Sequence, residues 1–301
     1  MNWINTFEIL CYIITAILLA DIIRKKSWKE LRLFLSAALA GFILELLAVR
    51  VTGIYHYSPD FYISIGSAPY QFPFFGGLMW GGLTVCGLRL TQKLGFGKLM
   101  TAFCTGWLIV SMDLLLDVAA IRLNGGFWVW DGREITLEIT HHMFMSVIWV
   151  NFLGYLFETP AVVFLTLRSW ERESDTPARK ALQTVGIGLA GVAIVGAASG
   201  LSLLLNSITD EWFACIAFVL LWCFLLICLI VQVVRRRSIL KAGRKTDWTA
   251  LIFWVAMYLY CLAALFSLGI FQSVPVYGVI SVLLALGTLA LSVVNKPVSD
   301  E

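Results

Sequence analysis

The sequence predicts an all-α fold, a polytopic integral membrane helix bundle of about nine transmembrane helices, with eight possible. Three observations predict it. Of the 301 residues, 60% are hydrophobic and 14% are charged, whereas a soluble domain carries about 25% charged residues. Apolar runs of about 20 residues, the length that crosses the hydrocarbon core, recur along the whole chain. Basic residues gather in alternate connections between these runs, as in multi-pass membrane proteins.

The apolar runs set the predicted spans in chain order, at 4–23, 32–50, 71–91, 98–120, 142–167, 181–206, 212–234, 248–270 and 275–294. Only residues 271–275 separate the last two runs, and their Gln-Ser-Val-Pro sequence favours a tight turn back into the membrane. Pro160 predicts a kink in the fifth span. All seven Cys lie within spans without ligand-like spacing, so we interpret them as small apolar residues.

Charge placement predicts the orientation. The connections at 24–32, 89–98, 168–180 and 235–247, together with the tail, hold all Lys and Arg except Arg50, Arg122 and Arg133. The positive-inside rule then puts the amino terminus outside and the carboxyl terminus in the cytoplasm of a prokaryotic cell membrane. The basic run at 235–237 is interpreted as the flank of a span, so no nucleic-acid partner is expected. No cleavable signal peptide is predicted, because no Lys or Arg precedes the first span.

Ionisable residues divide the chain into predicted parts. Residues 1–167 form a five-span bundle that carries the candidate site, and all the intramembrane acids are assigned to 41–160. Residues 168–180 form a charged, Pro-containing cytoplasmic linker. Residues 181–301 form a four-span apolar bundle with a short basic tail.

The candidate catalytic residues are three acids inside spans, Glu45, Asp113 and Asp117. A charge at the bilayer centre costs about 2.5–3.5 kcal/mol, so such groups usually face the bundle interior and serve a function. Asp113 and Asp117 are four residues apart and share a helix face. Close carboxyl groups favour one protonated and one ionised form, which suits acid–base chemistry. The alternative is a polar pair at a helix end, solvated by interfacial water.

Helical spacing predicts which residues meet these acids. Glu45 shares a stripe with the small residues Gly41 and Ala48, which allow close helix approach. A stripe of the fifth span contains His141 and Asn151 and continues to Glu158. We expect the acids, His141 and Asn151 to converge near the outer interface. Glu158 is either a second proton-handling group or a partner for a backbone group that Pro160 leaves free.

Aromatic residues flank the acids in sequence, namely Tyr55, Tyr57, Trp128 and Trp130. They fit an interfacial aromatic belt. They equally fit a substrate site that stabilises a carbocation or lines a polyene tunnel. His141 and His142 are a weak metal signal, because neighbours on a helix point about 100° apart, and no metal is predicted.

The Asp113-Leu-Leu-Leu-Asp117 spacing invites comparison with the magnesium–diphosphate motif of membrane prenyltransferases. That family needs a second Asp-rich motif on another helix, and this sequence has none. Its aspartates also face the cytoplasm, whereas these are predicted to lie on the opposite side. A prenyltransferase is therefore a minor alternative.

A series of short motifs runs through residues 45–155, namely Glu45, Thr52-Gly53-Ile54-Tyr55-His56-Tyr57, Pro73, Trp80, Asp113 with Asp117, Phe127-Trp128-Val129-Trp130 and Asn151-Phe152-Leu153-Gly154-Tyr155. Together, in this order, they resemble the carotenoid biosynthesis protein family, which includes carotenoid 1,2-hydratases. The resemblance covers residues of roughly 40–160. It implies a lipophilic polyene or isoprenoid substrate from the bilayer, catalysis by the three acids, Trp80 among the substrate-binding residues, and no organic cofactor.

Two other classes of function stay open. A proton-coupled transporter would also place acids inside spans, as a relay. A non-catalytic membrane protein that binds lipids would keep the fold without the chemistry.

Overall fold

The structure is a computed structural model that describes residues 2–53, 55–130, 132, 134–171, 176–236 and 246–293. Three parts of the predictions lie outside the described residues. These are Ile54 of the motif at 52–57, part of the linker at 168–180, and most of the basic connection at 235–247 with the tail. The predicted division of the chain into two bundles stays a prediction.

The described chain is an all-α bundle, as predicted. Its helices are α1 Trp3–Arg24, α2 Trp28–Thr52, α3 Phe74–Thr91, α4 Lys98–Ala120, α5 Trp149–Ser169, α6 Pro177–Ile208, α7 Trp212–Arg235, α8 Trp248–Ser267, α9 Ile270–Ser273 and α10 Pro275–Val293. The last two predicted spans are separate helices, α8 and α10, joined through the short helix α9. Helix α5 is continuous through Pro160.

Short antiparallel strand pairs occupy the connections at one end of the bundle. The strands are β1 Tyr55–Tyr57, β2 Ser64–Ile65, β3 Phe72–Pro73, β4 Trp128–Trp130, β5 Met143–Phe144 and β6 Val147–Ile148. They pair as β1 with β4, β2 with β3, and β5 with β6. Helical and apolar periodicity predicts none of them, because each is only two or three residues long.

Contacts between connections show which helix ends lie together. At one end, called here the loop end (residues 53–73 and 121–148), the Trp3 amide donates to Asn124 Oδ1 over 2.8 Å. Asn5 Nδ2 donates to the Asp60 carbonyl over 2.8 Å. These contacts place the start of α1 beside both connections, which the charge pattern also assigns to one side of the membrane.

The opposite end, called here the basic end, joins the other connections. Arg89 near the end of α3 bonds Glu30 in the first turn of α2 and pairs with Asp247 at the start of α8. Lys93 Nζ donates to the Ser292 carbonyl near the end of α10 over 3.2 Å. The order of the helix ends therefore alternates as nine traverses of the bundle require.

Eight of the described helices are long and apolar enough to cross a membrane, namely all except α3 and α9. Helix α3 has 18 residues and is almost entirely buried, so its neighbours rather than lipid surround it. Its Phe74 amide bonds the Ile63 carbonyl at the loop end, and Arg89 lies at the basic end. Helix α3 therefore joins the loop end to the basic end, and it is the predicted span that is not among these eight.

The predicted start of the fifth span at residue 142 is wrong, because α5 begins at Trp149. Met145 and Ser146 have φ values of 48° and 67°, which break a helix and turn β5 back onto β6. Arg122 holds this hairpin in place by donating to the carbonyl oxygens of Thr136 and Met145. Burial lowers the pKa of Arg122.

The assignment of all intramembrane acids to 41–160 is also wrong. Glu8 in α1 is fully buried, and Asp21 of the same helix is 5% exposed. Glu8 accepts hydrogen bonds from the Tyr62 and Ile63 amides over 2.6 and 2.9 Å. The Glu8 carboxylate thus accepts from two backbone amides of the 53–73 connection that lie outside the strands. These hydrogen bonds explain why Glu8 can be buried.

Candidate functional site

One cavity brings together the three predicted catalytic acids from α2 and α4. Glu45, Asp113 and Asp117 all line it, and its volume is about 100 Å³. Its walls come from α2, α3, α4, α5 and α8 and from the strands at the loop end. The separate stripes of the second and fourth spans therefore do face each other.

Glu45 is held by three tyrosine hydroxyls. Tyr55 and Tyr57 donate to its Oε2 over 2.9 and 2.8 Å, and Tyr155 donates to its Oε1 over 3.2 Å. The carboxylate is 5% exposed. Hydrogen bonds from three donors favour the anionic form of a carboxyl group, so this arrangement stabilises a buried negative charge.

The pairing of β1 with β4 positions two of these tyrosines. Tyr55 lies opposite Trp130 and Tyr57 opposite Trp128. Residues two apart on a strand share one face, so both hydroxyls reach Glu45. Burial, followed by the charge of Glu45, raises the pKa of both Tyr55 and Tyr57 well above the usual range. Both phenols therefore remain protonated donors at physiological pH.

Asp113 and Asp117 form a carboxyl pair one helical turn apart. Both line the cavity, and carboxyl groups this close favour one protonated and one ionised form. Asn151 Nδ2 of α5 donates to Asp117 Oδ2 over 2.8 Å. Asp113 Oδ2 has no hydrogen-bond partner among the described residues. A pair of this kind can hold one proton between its two carboxyl groups.

The cavity contains no balancing cation. None of the ion pairs found among the described residues involves Glu45, Asp113 or Asp117. In the same part of the chain, no group of three His, Cys, Asp or Glu side chains is placed to hold a metal ion. The charges of this site are met by hydroxyl and amide groups alone.

Aromatic rings form most of the remaining wall. The cavity is lined by five of the predicted substrate-binding aromatics, Tyr55, Tyr57, Trp80, Trp128 and Trp130. Trp80 contacts Tyr155 edge-on with ring centroids 4.8 Å apart. A Cβ on Gly41 would collide with the Trp80 indole. The small residue of the α2 stripe therefore admits the tryptophan that borders the cavity.

His141 lies apart from the cavity. It stacks on Trp212 of α7, with ring centroids 4.5 Å apart and planes 4° apart. Its neighbour His142 bonds Glu211 through Nδ1 over 2.8 Å. The expectation that His141 would join the acids assumed a helix through residues 141–148, and the β5–β6 hairpin replaces that helix.

Tyr155 and Met257 are among the cavity residues that the site prediction did not include. Tyr155 follows Asn151 by four residues on α5, so the helical stripe alone was a usable signal for it. Met257 of α8 closes the cavity from the second half of the chain, and an apolar residue in an apolar span carries no such signal. Glu158 is 2% exposed, and its Oε2 lacks a hydrogen-bond partner in the described structure.

Comparison with known proteins gives one match. A family model described as "Carotenoid biosynthesis protein" matches residues 5–224 of the chain. No curated protein and no solved structure matches it. The matched region contains every residue of the cavity named above except Met257.

Proposed function

Because this chain belongs to the carotenoid biosynthesis protein family, we propose that it adds water across a terminal double bond of a carotenoid or a related isoprenoid. The observation that carries the proposal is the pair of Asp113 and Asp117 one helical turn apart in a cavity walled by aromatic rings. Hydration of an alkene needs a proton donor and a site that tolerates a carbocation. No redox partner is needed.

The aspartate pair supplies the proton in this proposal. Its proton goes to the less substituted alkene carbon, where the π electrons form a C–H bond and leave a tertiary carbocation. A water oxygen then forms the C–O bond, and the surplus proton of that water returns to the pair. One water is consumed and the carboxyl groups end as they began, so the step is balanced.

Glu45 stabilises the carbocation in this proposal. Tyr55, Tyr57 and Tyr155 favour its anionic form and orient it before the reaction starts, so little reorganisation is required when positive charge develops. The faces of Trp80, Trp128 and Trp130 add cation–π attraction. Asn151 orients Asp117 through its amide hydrogen bond.

The test is expression in a host that accumulates lycopene, followed by mass analysis of the pigments. The expected result is a new pigment heavier by one water for each hydrated end. An Asp113→Asn variant that inserts normally should leave the pigment unchanged. Unmodified lycopene with the wild-type protein, repeated with shorter isoprenoids in purified membranes, would reject hydration.

The same test separates the other two classes of function. A proton-coupled transporter would leave every pigment mass unchanged yet acidify or alkalinise vesicles when substrate is supplied. A non-catalytic protein would do neither. Glu45, Asp113 and Asp117 line one cavity, which suits a reaction site better than a relay across the membrane.

We also propose that the loop end faces outward from a prokaryotic cell membrane. Most basic residues of the described connections lie at the opposite end, as the positive-inside rule requires. A reporter fused after Gly66 should be active only outside, and one fused after Arg236 only in the cytoplasm. The reverse pattern of reporter activity would show that the loop end faces the cytoplasm.

A further inference from the structure

A groove on the membrane-facing side of the bundle adjoins the cavity. It runs between α2, α5 and α6 and has a volume of about 460 Å³. Five residues line both the groove and the cavity, namely Glu45, Tyr55, Trp130, Asn151 and Tyr155. The groove therefore ends on Glu45, one of the three acids of the cavity.

The glycines of α6 show which positions of this helix pack against its neighbours and which do not. At Gly188 a Cβ would lie 2.9 Å from the Ser36 carbonyl oxygen, and at Gly191 it would lie 2.6 Å from Val162 Cγ2. Both glycines are needed for close packing. At Gly196 and Gly200, one to three turns further on, a Cβ would meet nothing within 4 Å. Gly188 and Gly191 thus lie on the packed face of α6, whereas Gly196 and Gly200 border the open groove.

The walls of the groove are apolar and open to the bilayer. Leu47 of α2 is 48% exposed and Leu203 of α6 is 56% exposed. The lining of α6 extends from residue 192 to residue 203, which is about 16 Å at about 1.5 Å of rise per residue. An elongated hydrocarbon fits this shape and polarity, whereas water and ions do not.

We propose that this groove binds the hydrocarbon chain of the isoprenoid substrate and admits its terminal double bond sideways from the membrane. The inference rests on the proposed function and deepens it. The occupant is an isoprenoid chain rather than any lipid tail, because the groove ends on Glu45 and its tyrosines. A saturated acyl chain has no group that reacts with or is attracted to that cluster.

The experiment measures binding without requiring turnover. A long-chain isoprenoid alcohol with a diazirine at its hydrocarbon end is photolysed with the protein in phosphatidylcholine vesicles, and the adducts are mapped by mass spectrometry. We expect adducts on the groove-lining segments of α2, α5 and α6. They should vanish when excess unlabelled isoprenoid alcohol is added and persist with excess phosphatidylcholine.

Matched glycine variants make the test specific. Gly196→Leu or Gly200→Leu fills the groove without meeting a neighbour, and the labelling should be lost. Gly186→Leu lies on the same helix, is exposed, and also meets nothing within 4 Å of its Cβ, so labelling should remain. Thermal unfolding in detergent checks that all three variants fold.

Two results would overturn the groove proposal. One is labelling of Gly196→Leu and Gly200→Leu equal to that of the wild type, and the other is equal competition by phosphatidylcholine. The Asp113→Asn variant separates this proposal from the hydration proposal. Both the wild type and Asp113→Asn should show groove labelling. If they do and the wild type still hydrates no pigment, the groove proposal is supported and the hydration proposal is rejected.

Discussion

Buried acids gather at both ends of the bundle, but they are balanced in different ways. At the basic end, Arg89 is 7% exposed and pairs with Glu30 over 2.8 Å, Asp21 over 3.1 Å and Asp247 over 3.5 Å. This cluster joins α1, α2, α3 and α8. In the cavity towards the loop end, Glu45 and the aspartate pair contact tyrosines, an asparagine and each other.

The difference separates a structural role from a chemical one. A carboxylate paired with an arginine is held in its charged form and has little tendency to take or release a proton. Carboxyl groups that share a proton and lack a cation can exchange it. Burial of an acid alone therefore does not indicate function, and the identity of its partner decides the interpretation.

The largest expected effect is on the aspartate pair. Asp113→Asn or Asp117→Asn should abolish hydration, since general acid catalysis contributes about 10²–10⁴-fold. Membrane insertion should be normal or improved, because a buried charge is removed. Pigment mass analysis and protein yield measure the two effects, with Asp210→Asn in the exposed α6–α7 turn as the control. Undiminished product from both variants would remove the pair from the mechanism.

Arg89→Gln tests the other end. It leaves three carboxylates without their central cation, and breaking a buried ion pair costs about 3–5 kcal/mol of stability. Thermal unfolding in detergent should show a large fall in the midpoint. The isoprenoid labelling of any folded fraction should persist. An unchanged unfolding midpoint would contradict the structural role assigned here to the Arg89 cluster.

Glu45→Gln should have a smaller effect on turnover, by about 100-fold, the size of losing one preorganised electrostatic group. Tyr57→Phe removes one donor to the carboxylate and should cost about tenfold, since a hydrogen bond to a charged group contributes about 1.5 kcal/mol or more. Initial rates of hydrated pigment formation measure both. Equal rates for wild type and Glu45→Gln would show that Glu45 serves packing alone.

The smallest effect is expected for Arg24→Gln. Arg24 pairs with Asp21, the same acid that Arg89 contacts, but its own side chain is 79% exposed. Exposed ion pairs contribute about 0–1 kcal/mol, so the unfolding midpoint should hardly move. If the unfolding midpoint fell as far as it does for Arg89→Gln, burial of the cation would not explain the difference between the two ion pairs.

Much of the fold was predictable because each segment that crosses the lipid must by itself be long and apolar enough to do so. Apolar length sets the spans, and charge placement sets which connections share a side. The hairpin at 143–148 was missed because Met145, Ser146 and their neighbours are apolar enough to extend the α5 pattern. Their left-handed backbone and the contacts of Arg122 depend on packing that no local pattern reports.

The site divides in the same way. Spacing along single helices was enough to place Asp113 beside Asp117 and to turn Glu45 towards a helix interface. The meeting of these two helices with Tyr55, Tyr57 and Met257 required the pairing of β1 with β4 and the position of α8.

The sequence by itself determined that this protein is a multi-pass helical bundle with acids inside it, because the costs of burying polar groups in lipid act residue by residue. Only the tertiary structure decided which acids met a cation and which met hydroxyl groups. Partner choice depends on side chains brought together from distant segments, and composition and periodicity carry no information about that geometry. The opening of the groove beside α6 has the same origin, since the packed and the open glycines are chemically identical.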